Sequence, residues 1–155
     1  SSAAGRHEHR MTSRSILETP RERDATLITE GVTQLGRVLA MGGNAKSIAC
    51  LAHKSEHLVA GGIGRTEFCR LFISYLWVAE APRGHGIGTE VLARLERAAI
   101  DRGCNDALIE TLSDQYARLY SHIGYMSVAT ISNYVGPFTK HVLIKQLRCD
   151  GRTDA

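Results

Sequence analysis

Closely spaced cysteines, prolines, aromatic residues and long apolar runs are all scarce in this chain of 155 residues. The four cysteines, Cys50, Cys69, Cys104 and Cys149, form no C-x-x-C pair, and the seven histidines are scattered. That spacing excludes a zinc site and a disulfide framework and predicts reduced thiols in a cytoplasmic protein that binds no metal. No run approaches the roughly 18 apolar residues of a membrane span, so no membrane partner is expected.

The residues that are present have the composition of one globular domain. They are 43% apolar and 23% charged, which argues against collagen, a coiled coil and wholesale disorder. The net charge of +3 is compatible with a polyanionic ligand. No interleaving of basic and aromatic residues predicts nucleic-acid binding, and no acidic cluster predicts a polycationic substrate. Glycine is in mild excess, with 15 glycines against three prolines, so the placement of the glycines becomes informative.

Strand-like and helix-like patterns alternate along the chain, which predicts an α/β or α+β fold around a mixed sheet. We expect residues 1–14 to be a flexible leader or a remnant of expression, 15–149 a single domain, and 150–155 a tail. The predicted strands cover 15–20, 47–54, 57–64, 70–78, 107–112, 125–131 and 138–147. The predicted helices cover 22–41, 89–103 and 114–122, and residues 132–137 form a turn-rich loop between the last two strands.

The most informative segment is LWVAEAPRGHGIGTE, residues 76–90, which runs from a strand through a glycine-rich loop into a helix. A loop of this kind presents unpaired backbone N–H groups and the positive end of the helix dipole. Glycines let an anion approach the backbone, and Arg83 adds a charge-assisted contact. The segment therefore predicts a cradle for phosphate or pyrophosphate.

The spacing of this loop excludes two common phosphate-binding motifs. A P-loop is excluded because no lysine follows the glycines, and the dinucleotide pattern fails because its last glycine would fall on Thr89 or Val91. The loop instead reads R-x-x-G-x-G, with Arg83, Gly86 and Gly88. It follows a strand that ends in LWV, and the segment ARLYSHIGY, residues 117–125, lies downstream. Together these motifs resemble the GNAT superfamily of acyl-CoA N-acyltransferases over roughly residues 47–148.

The resemblance implies a fold and a cofactor site. The fold is a mixed, mostly antiparallel sheet of six or seven strands flanked by helices and splayed open where acetyl-CoA binds. Val78 is expected to offer backbone contacts to the pantetheine and thioester, and the imidazole of His85 is expected to be incidental. The residues expected to contact the pyrophosphate, mainly through their backbone, are Arg83, Gly84, His85, Gly86, Ile87, Gly88 and Thr89.

The resemblance also implies direct attack of a neutral amine on the thioester, with Tyr120 at the position of the general acid that protonates the leaving sulfur. Tyr116 and Tyr125 are expected to be packing residues. Ser74 stands where related proteins often carry an acidic residue, so a dedicated general base is in doubt. Glu110 and Glu67 are candidates for that role, and a water chain is the alternative.

The leading hypothesis is an acetyl-CoA-dependent N-acetyltransferase acting on a primary amine of a small molecule or a protein. One alternative is a non-catalytic module that binds or senses acyl-CoA, which the serine at position 74 favours. The other is a protein-interaction domain in which the glycine loop is only a turn. Binding of CoA would exclude the interaction domain, and turnover of an amine would exclude the sensor. A homodimer is also expected, because related domains often dimerise through their terminal strands.

Overall fold

The computed structural model describes residues 12–39, 44–81 and 83–148. The expected leader lies almost wholly outside this range, and Cys149 and the expected tail lie entirely outside it. The chain divides into two compact units, Ser1–Leu39 and Ala40–Ala155. Among the described residues, no helix is long and apolar enough to cross a membrane.

The first unit contains helix α1, Glu22–Leu39, with acidic residues in its first turn. Its start agrees with the predicted helix 22–41, whose last residues lie outside the described range. The strand predicted at 15–20 is wrong, because this segment is irregular and takes no place in the sheet. An apolar pattern becomes a strand only where a neighbouring strand accepts its backbone hydrogen bonds.

The second unit is built on one six-stranded sheet with the order β1-β2-β3-β4-β6-β5. Only β3 and β4 run parallel, which confirms the mixed, mostly antiparallel sheet. The strands are β1 Lys46–Lys54, β2 His57–Glu67, β3 Arg70–Val78, β4 Asp106–Thr111, β5 Met126–Val135 and β6 Phe138–Gln146. The helices of this unit are α2, Ile87–Asp101, between β3 and β4, and α3, Asp114–His122, between β4 and β5.

Helix α2 supplies much of the core, because its apolar stripe is buried against the sheet. A Cβ added to Gly62 of β2 would lie 2.7 Å from Cδ1 of Leu95, which shows how closely this helix approaches the strand. On the solvent side, Arg94 and Glu90 form an i,i+4 ion pair at 3.3 Å.

The last hairpin differs from the prediction, because the segment expected to be a loop is strand. β5 continues to Val135, and a tight turn at Gly136 leads directly into β6. The pairing with β6 is irregular between Ile131 and Val135, and Asn133 has a left-handed φ of 54°. This irregularity breaks the period-two pattern from which a strand is predicted, so the sequence indicated a loop.

A buried ion pair joins α2 to the last strand. Glu96 is 7% exposed, and its carboxylate accepts hydrogen bonds from Lys145 Nζ at 2.8 Å and from the Tyr125 hydroxyl at 3.2 Å. Burial and the neighbouring Glu96 carboxylate raise the pKa of Tyr125, so this hydroxyl stays a donor at neutral pH. Tyr125 therefore packs in the core, as predicted, and in addition satisfies a buried charge.

Lys145→Met should lower the free energy of unfolding by about 2 kcal/mol, because it leaves the Glu96 carboxylate buried without its cation. Chemical denaturation gives this value. Adding Glu96→Gln to that variant should recover part of the loss, since the uncompensated charge is removed. A double variant less stable than Lys145→Met would show that Glu96 contributes through something other than this pair.

Candidate active site

The site begins where the two parallel strands separate. β3 and β4 pair from Arg70 and Asp106 up to Ile73 and Ile109, and pairing stops there although β3 continues to Val78. At the paired end, Arg70 holds the Asp106 carboxylate with two hydrogen bonds of 2.7 and 2.9 Å. The strands are thus fixed together at one end and open at the other, as the splayed sheet was predicted to be.

A β-bulge at Ser74 reverses the orientation of the β3 side chains at this opening. Gly64 of β2 is opposite Ile73 and Ile63 is opposite Tyr75, so Ser74 has no counterpart on β2. The extra residue reverses which side chains face the helices. Leu71 and Ile73 are buried before the bulge, and Leu76 and Val78 pack against the core after it. The bulge was not predicted from the sequence, because an apolar run without alternation does not indicate which side chains face the core.

The backbone of Val78 faces the opening between the strands. The Ala79 N–H donates to the Val59 carbonyl oxygen of β2 at 2.8 Å. Backbone groups of an antiparallel strand alternate in direction, so the N–H and C=O of Val78 point away from β2. The carbonyl accepts a hydrogen bond from Arg83 Nε at 3.1 Å, which ties the start of the glycine loop to the strand end.

The glycine loop leads directly into α2, and no side chain caps the first N–H groups of that helix. Gly84 and Gly86 have φ values of +86° and +77°, a conformation that other residues adopt only with strain. Gly86 precedes the helix and provides no side-chain cap, although its carbonyl accepts the Glu90 N–H at 3.0 Å. A Cβ at Gly88 would lie 3.0 Å from Val78 Cγ2, so this glycine lets the helix start close to the strand.

These elements surround a cleft of about 770 Å³, a volume within the usual range for small-molecule sites. β3, the glycine loop and the start of α2 form one side, and the end of β4 and α3 form the other. Of the residues predicted to bind the cofactor or to act as the general acid, all but His85 line the cleft. The predicted residues that do line it are Val78, Arg83, Gly84, Gly86, Ile87, Gly88, Thr89 and Tyr120.

Tyr120 lies on α3 at the opposite side of the cleft from the loop. Its side chain is 6% exposed, with its ring 6.2 Å from that of Tyr116 and 6.0 Å from that of Tyr125. Burial, followed by the neighbouring Tyr116, raises the pKa of Tyr120 to about 12. The phenol is therefore neutral at physiological pH and holds a proton that it can donate.

The carboxylates considered as general bases occupy different places. Glu110 lines the cleft and forms an ion pair with Lys140 at 3.0 Å, whereas Glu67 is paired with Arg65 at 3.2 Å and does not line it. Ser74, at the bulge, lines the cleft with only a hydroxyl. The structure thus brings Glu110 to the opening and leaves Glu67 outside.

A second cavity, of about 560 Å³, adjoins the cleft. It shares with the cleft the residues at the strand opening, Ser74 and Glu110 among them. Its other residues come from β2, β3, the end of β4 and the hairpin of β5 and β6. They are Arg65, Phe72, Leu108, Leu112, Tyr134 and Lys140.

Comparison with known proteins agrees with this geometry. A blasticidin-S acetyltransferase from Streptomyces morookaense is 35% identical over 91 residues, which cover 58% of this chain and 67% of that one. An Agrobacterium fabrum acetyltransferase is 35% identical over 77 residues, 49% of this chain and 56% of its own length. The crystal structure of a Bacillus cereus acetyltransferase has the same fold, with a TM-score of 0.76 at 22% identity, over 85% of this chain and 97% of that one.

The family comparison covers the separated strands, the glycine loop and Tyr120 together. The model of the acetyltransferase (GNAT) family matches residues 17–125, which is most of the chain. This protein therefore belongs to the acetyltransferase (GNAT) family.

Proposed function

We propose that this protein transfers an acetyl group from acetyl-CoA to a primary amine of a small molecule. The observation that carries the proposal is that one cleft contains the uncovered start of α2, the outward-facing backbone of Val78 and the neutral phenol of Tyr120. The name of the Streptomyces morookaense relative states an antibiotic as its acceptor, which favours a small molecule over a protein.

The loop supplies the binding site for the cosubstrate. The first N–H groups of α2 lack partners within the helix and converge on one point, where the pyrophosphate would bind. Arg83 adds its guanidinium while Nε remains bonded to the Val78 carbonyl. The N–H of Val78 is free to pair with an extended arm that lies between β3 and β4.

The reaction follows from the groups around the opening. The nitrogen lone pair attacks the thioester carbon, the new C–N bond forms, and the C–S bond breaks as the sulfur leaves with its electron pair. The Tyr120 hydroxyl gives its proton to that sulfur and is reprotonated from solvent. Holding amine and thioester in one cleft supplies a large part of the acceleration by proximity.

The amine must lose one proton before it attacks and another afterwards. With Ser74 at the bulge, Glu110 is the carboxylate among the described residues that line the cleft, and it lies 3.0 Å from Lys140 Nζ. Water reaches Glu110 because nearly half of its side chain, 46%, is exposed. We therefore propose that protons leave by way of Glu110 and water.

The proposal includes a homodimer formed along β5, the edge strand of the sheet. All ten of its residues are exposed, and an exposed strand edge is a template for pairing with another chain. Sedimentation velocity measures the assembly directly, and a monomer at every concentration would contradict it.

Calorimetry with acetyl-CoA and release of free thiol against a panel of primary amines test the function. We expect saturable binding to the wild type and about tenfold weaker binding to Arg83→Met, which loses one charge-assisted contact. Arg97→Met, on the outer part of α2, is the control that should bind as the wild type. Absence of CoA binding would favour an interaction domain, and binding without turnover of any amine would favour a sensing module.

A further inference from the structure

The second cavity lies on the face of the sheet opposite α2. On β4, Ala107 and Ile109 are buried beneath the helices, whereas Leu108 and Glu110, which alternate with them, line the second cavity. The cleft and the cavity share residues only around the gap between β3 and β4. A molecule in the second cavity therefore reaches the thioester site through this gap, from the side opposite the helices.

The charges of this cavity do not suit a simple cation. Lys140 and Arg65 contribute two positive charges to its lining and Glu110 contributes one negative charge, and Arg65 Nε also donates to the Glu67 carboxylate at 3.2 Å. Among the described residues, Glu110 is also the carboxylate bonded to Lys140, at 3.0 Å. An acceptor arriving as an ammonium ion would bind Glu110 only by competing with Lys140 and approaching Arg65.

Both cations are held in place by aromatic rings. Lys140 Nζ lies 4.5 Å from the centre of the Tyr134 ring and 3.3 Å from its hydroxyl, and the Arg65 guanidinium lies 4.1 Å above Phe72. The Lys140 side chain is 21% exposed, so leaving it without an anion would carry a desolvation cost. Cations fixed in this way favour an anionic group that replaces Glu110 as the partner of Lys140.

We propose that the second cavity is the acceptor subsite and that it selects primary amines which also carry a carboxylate, with Lys140 and Arg65 binding the carboxylate and Glu110 facing the amine. When such a zwitterion binds, the ion pair of Glu110 and Lys140 is replaced by two others. The ligand carboxylate pairs with Lys140 and the ligand ammonium group pairs with Glu110, so no charge is left without a partner. A polycationic amine gains only Glu110 as a partner and has to compete with Lys140 for it. This inference rests on the proposed function and adds the chemical class of the acceptor.

Matched pairs of amines test the selectivity, each pair consisting of a carboxylate and its carboxamide. Suitable pairs are para-aminomethylbenzoate, aminohexanoate and aminobutyrate with their amides, because the changed group lies away from the amine. In at least one pair we expect the wild type to prefer the acid about tenfold in kcat/KM, mainly through a lower KM. Lys140→Met should reduce that ratio to about one, and Lys140→Arg should restore most of it.

Arg94→Met is the control, because Arg94 lies on the outer face of α2 and outside both cavities; its acid preference should equal that of the wild type. Calorimetry of the same amines in the presence of CoA measures acceptor binding without turnover. An acid preference in binding that depends on Lys140, without thiol release, would support the subsite and contradict the acetyltransferase. Turnover with no acid preference in any pair, or with a preference that survives Lys140→Met in a folded protein, would overturn the subsite alone.

Discussion

Tyr120→Phe should lower kcat about 100-fold while leaving the affinity for acetyl-CoA within twofold of the wild type. The phenylalanine ring preserves the buried packing between Tyr116 and Tyr125, so the cleft keeps its shape. Only the hydroxyl proton for the leaving sulfur is lost, and a positioned general acid contributes roughly 10²–10⁴-fold. Steady-state release of free thiol measures kcat, and calorimetry measures affinity.

The control is Tyr116→Phe on the same helix, which is expected to keep at least half of the wild-type kcat. Tyr116 is half-exposed, and we predict a packing role for it. If both variants turn over as the wild type does, the proton comes from elsewhere and Tyr120 is structural. If both lose activity together with CoA affinity, the change lies in the shape of the cleft.

The raised pKa of Tyr120 fixes the sign of its pH dependence. Because this pKa is about 12, against 10 for an ordinary tyrosine, the acid stays protonated and kcat should show no alkaline loss from Tyr120 up to pH 10. The unfolded chain ionises first, so the corresponding stability is present below pH 10 and is lost as pH rises towards 12. Between pH 10 and pH 12 the free energy of unfolding of Tyr120→Phe should therefore fall less steeply with rising pH than that of the wild type.

Gly64→Ala should destabilise the second unit by at least about 3 kcal/mol, the largest loss of stability that we predict. A Cβ at this position would overlap the Phe72 carbonyl oxygen and lie 3.1 Å from the carbonyl carbon. These are backbone atoms of the neighbouring strand, so no rotamer change relieves the overlap. Gly64 also lies where the register between β2 and β3 shifts at the bulge, so the two strands would have to separate beside the cleft.

Gly31→Ala is the matched control, because a Cβ there meets no atom within 4 Å and the residue lies within α1. That variant should increase helix content by far-ultraviolet circular dichroism, since alanine is favoured over glycine in a helix by roughly 0.5–1 kcal/mol. Chemical denaturation followed by tryptophan fluorescence reports on the second unit, where Trp77 lies on β3. A Gly64→Ala protein as stable as the wild type would mean that β2 and β3 tolerate a wider spacing.

The parts of the site that were predicted correctly are those encoded by neighbouring residues. The glycine loop and a helix directly after it follow from the spacing of Arg83, Gly86 and Gly88, because a turn and a helix terminus need only local backbone geometry. The bounds of that helix differ by two residues, since α2 covers Ile87–Asp101 and the prediction was 89–103. The bounds of α3 agree residue for residue with the prediction, since Ser113 caps it and Gly124 follows it. Tyr120 could be placed on that helix from the resemblance, and the structure puts it at the cleft.

The strands were predicted less completely, because a strand depends on partners that are distant in the chain. Segment 15–20 has no partner in the sheet and is not a strand, whereas residues 132–135 belong to β5, where Val135 pairs with Phe138 of β6. The bulge at Ser74 is visible only as a missing counterpart on β2. Register is a relation between two strands, so neither sequence contains it alone.

The sequence by itself determined the class of fold, the glycine loop before α2 and the family, because short motifs encode local backbone geometry. The tertiary structure decided what that loop faces. It ended the pairing of β3 and β4 after Ile73 and Ile109, brought Tyr120 to the opening, excluded Glu67 from it, and joined Glu110 to Lys140 across two strands. These contacts join residues far apart in the chain, so they arise only when the strands pair and the helices pack against them.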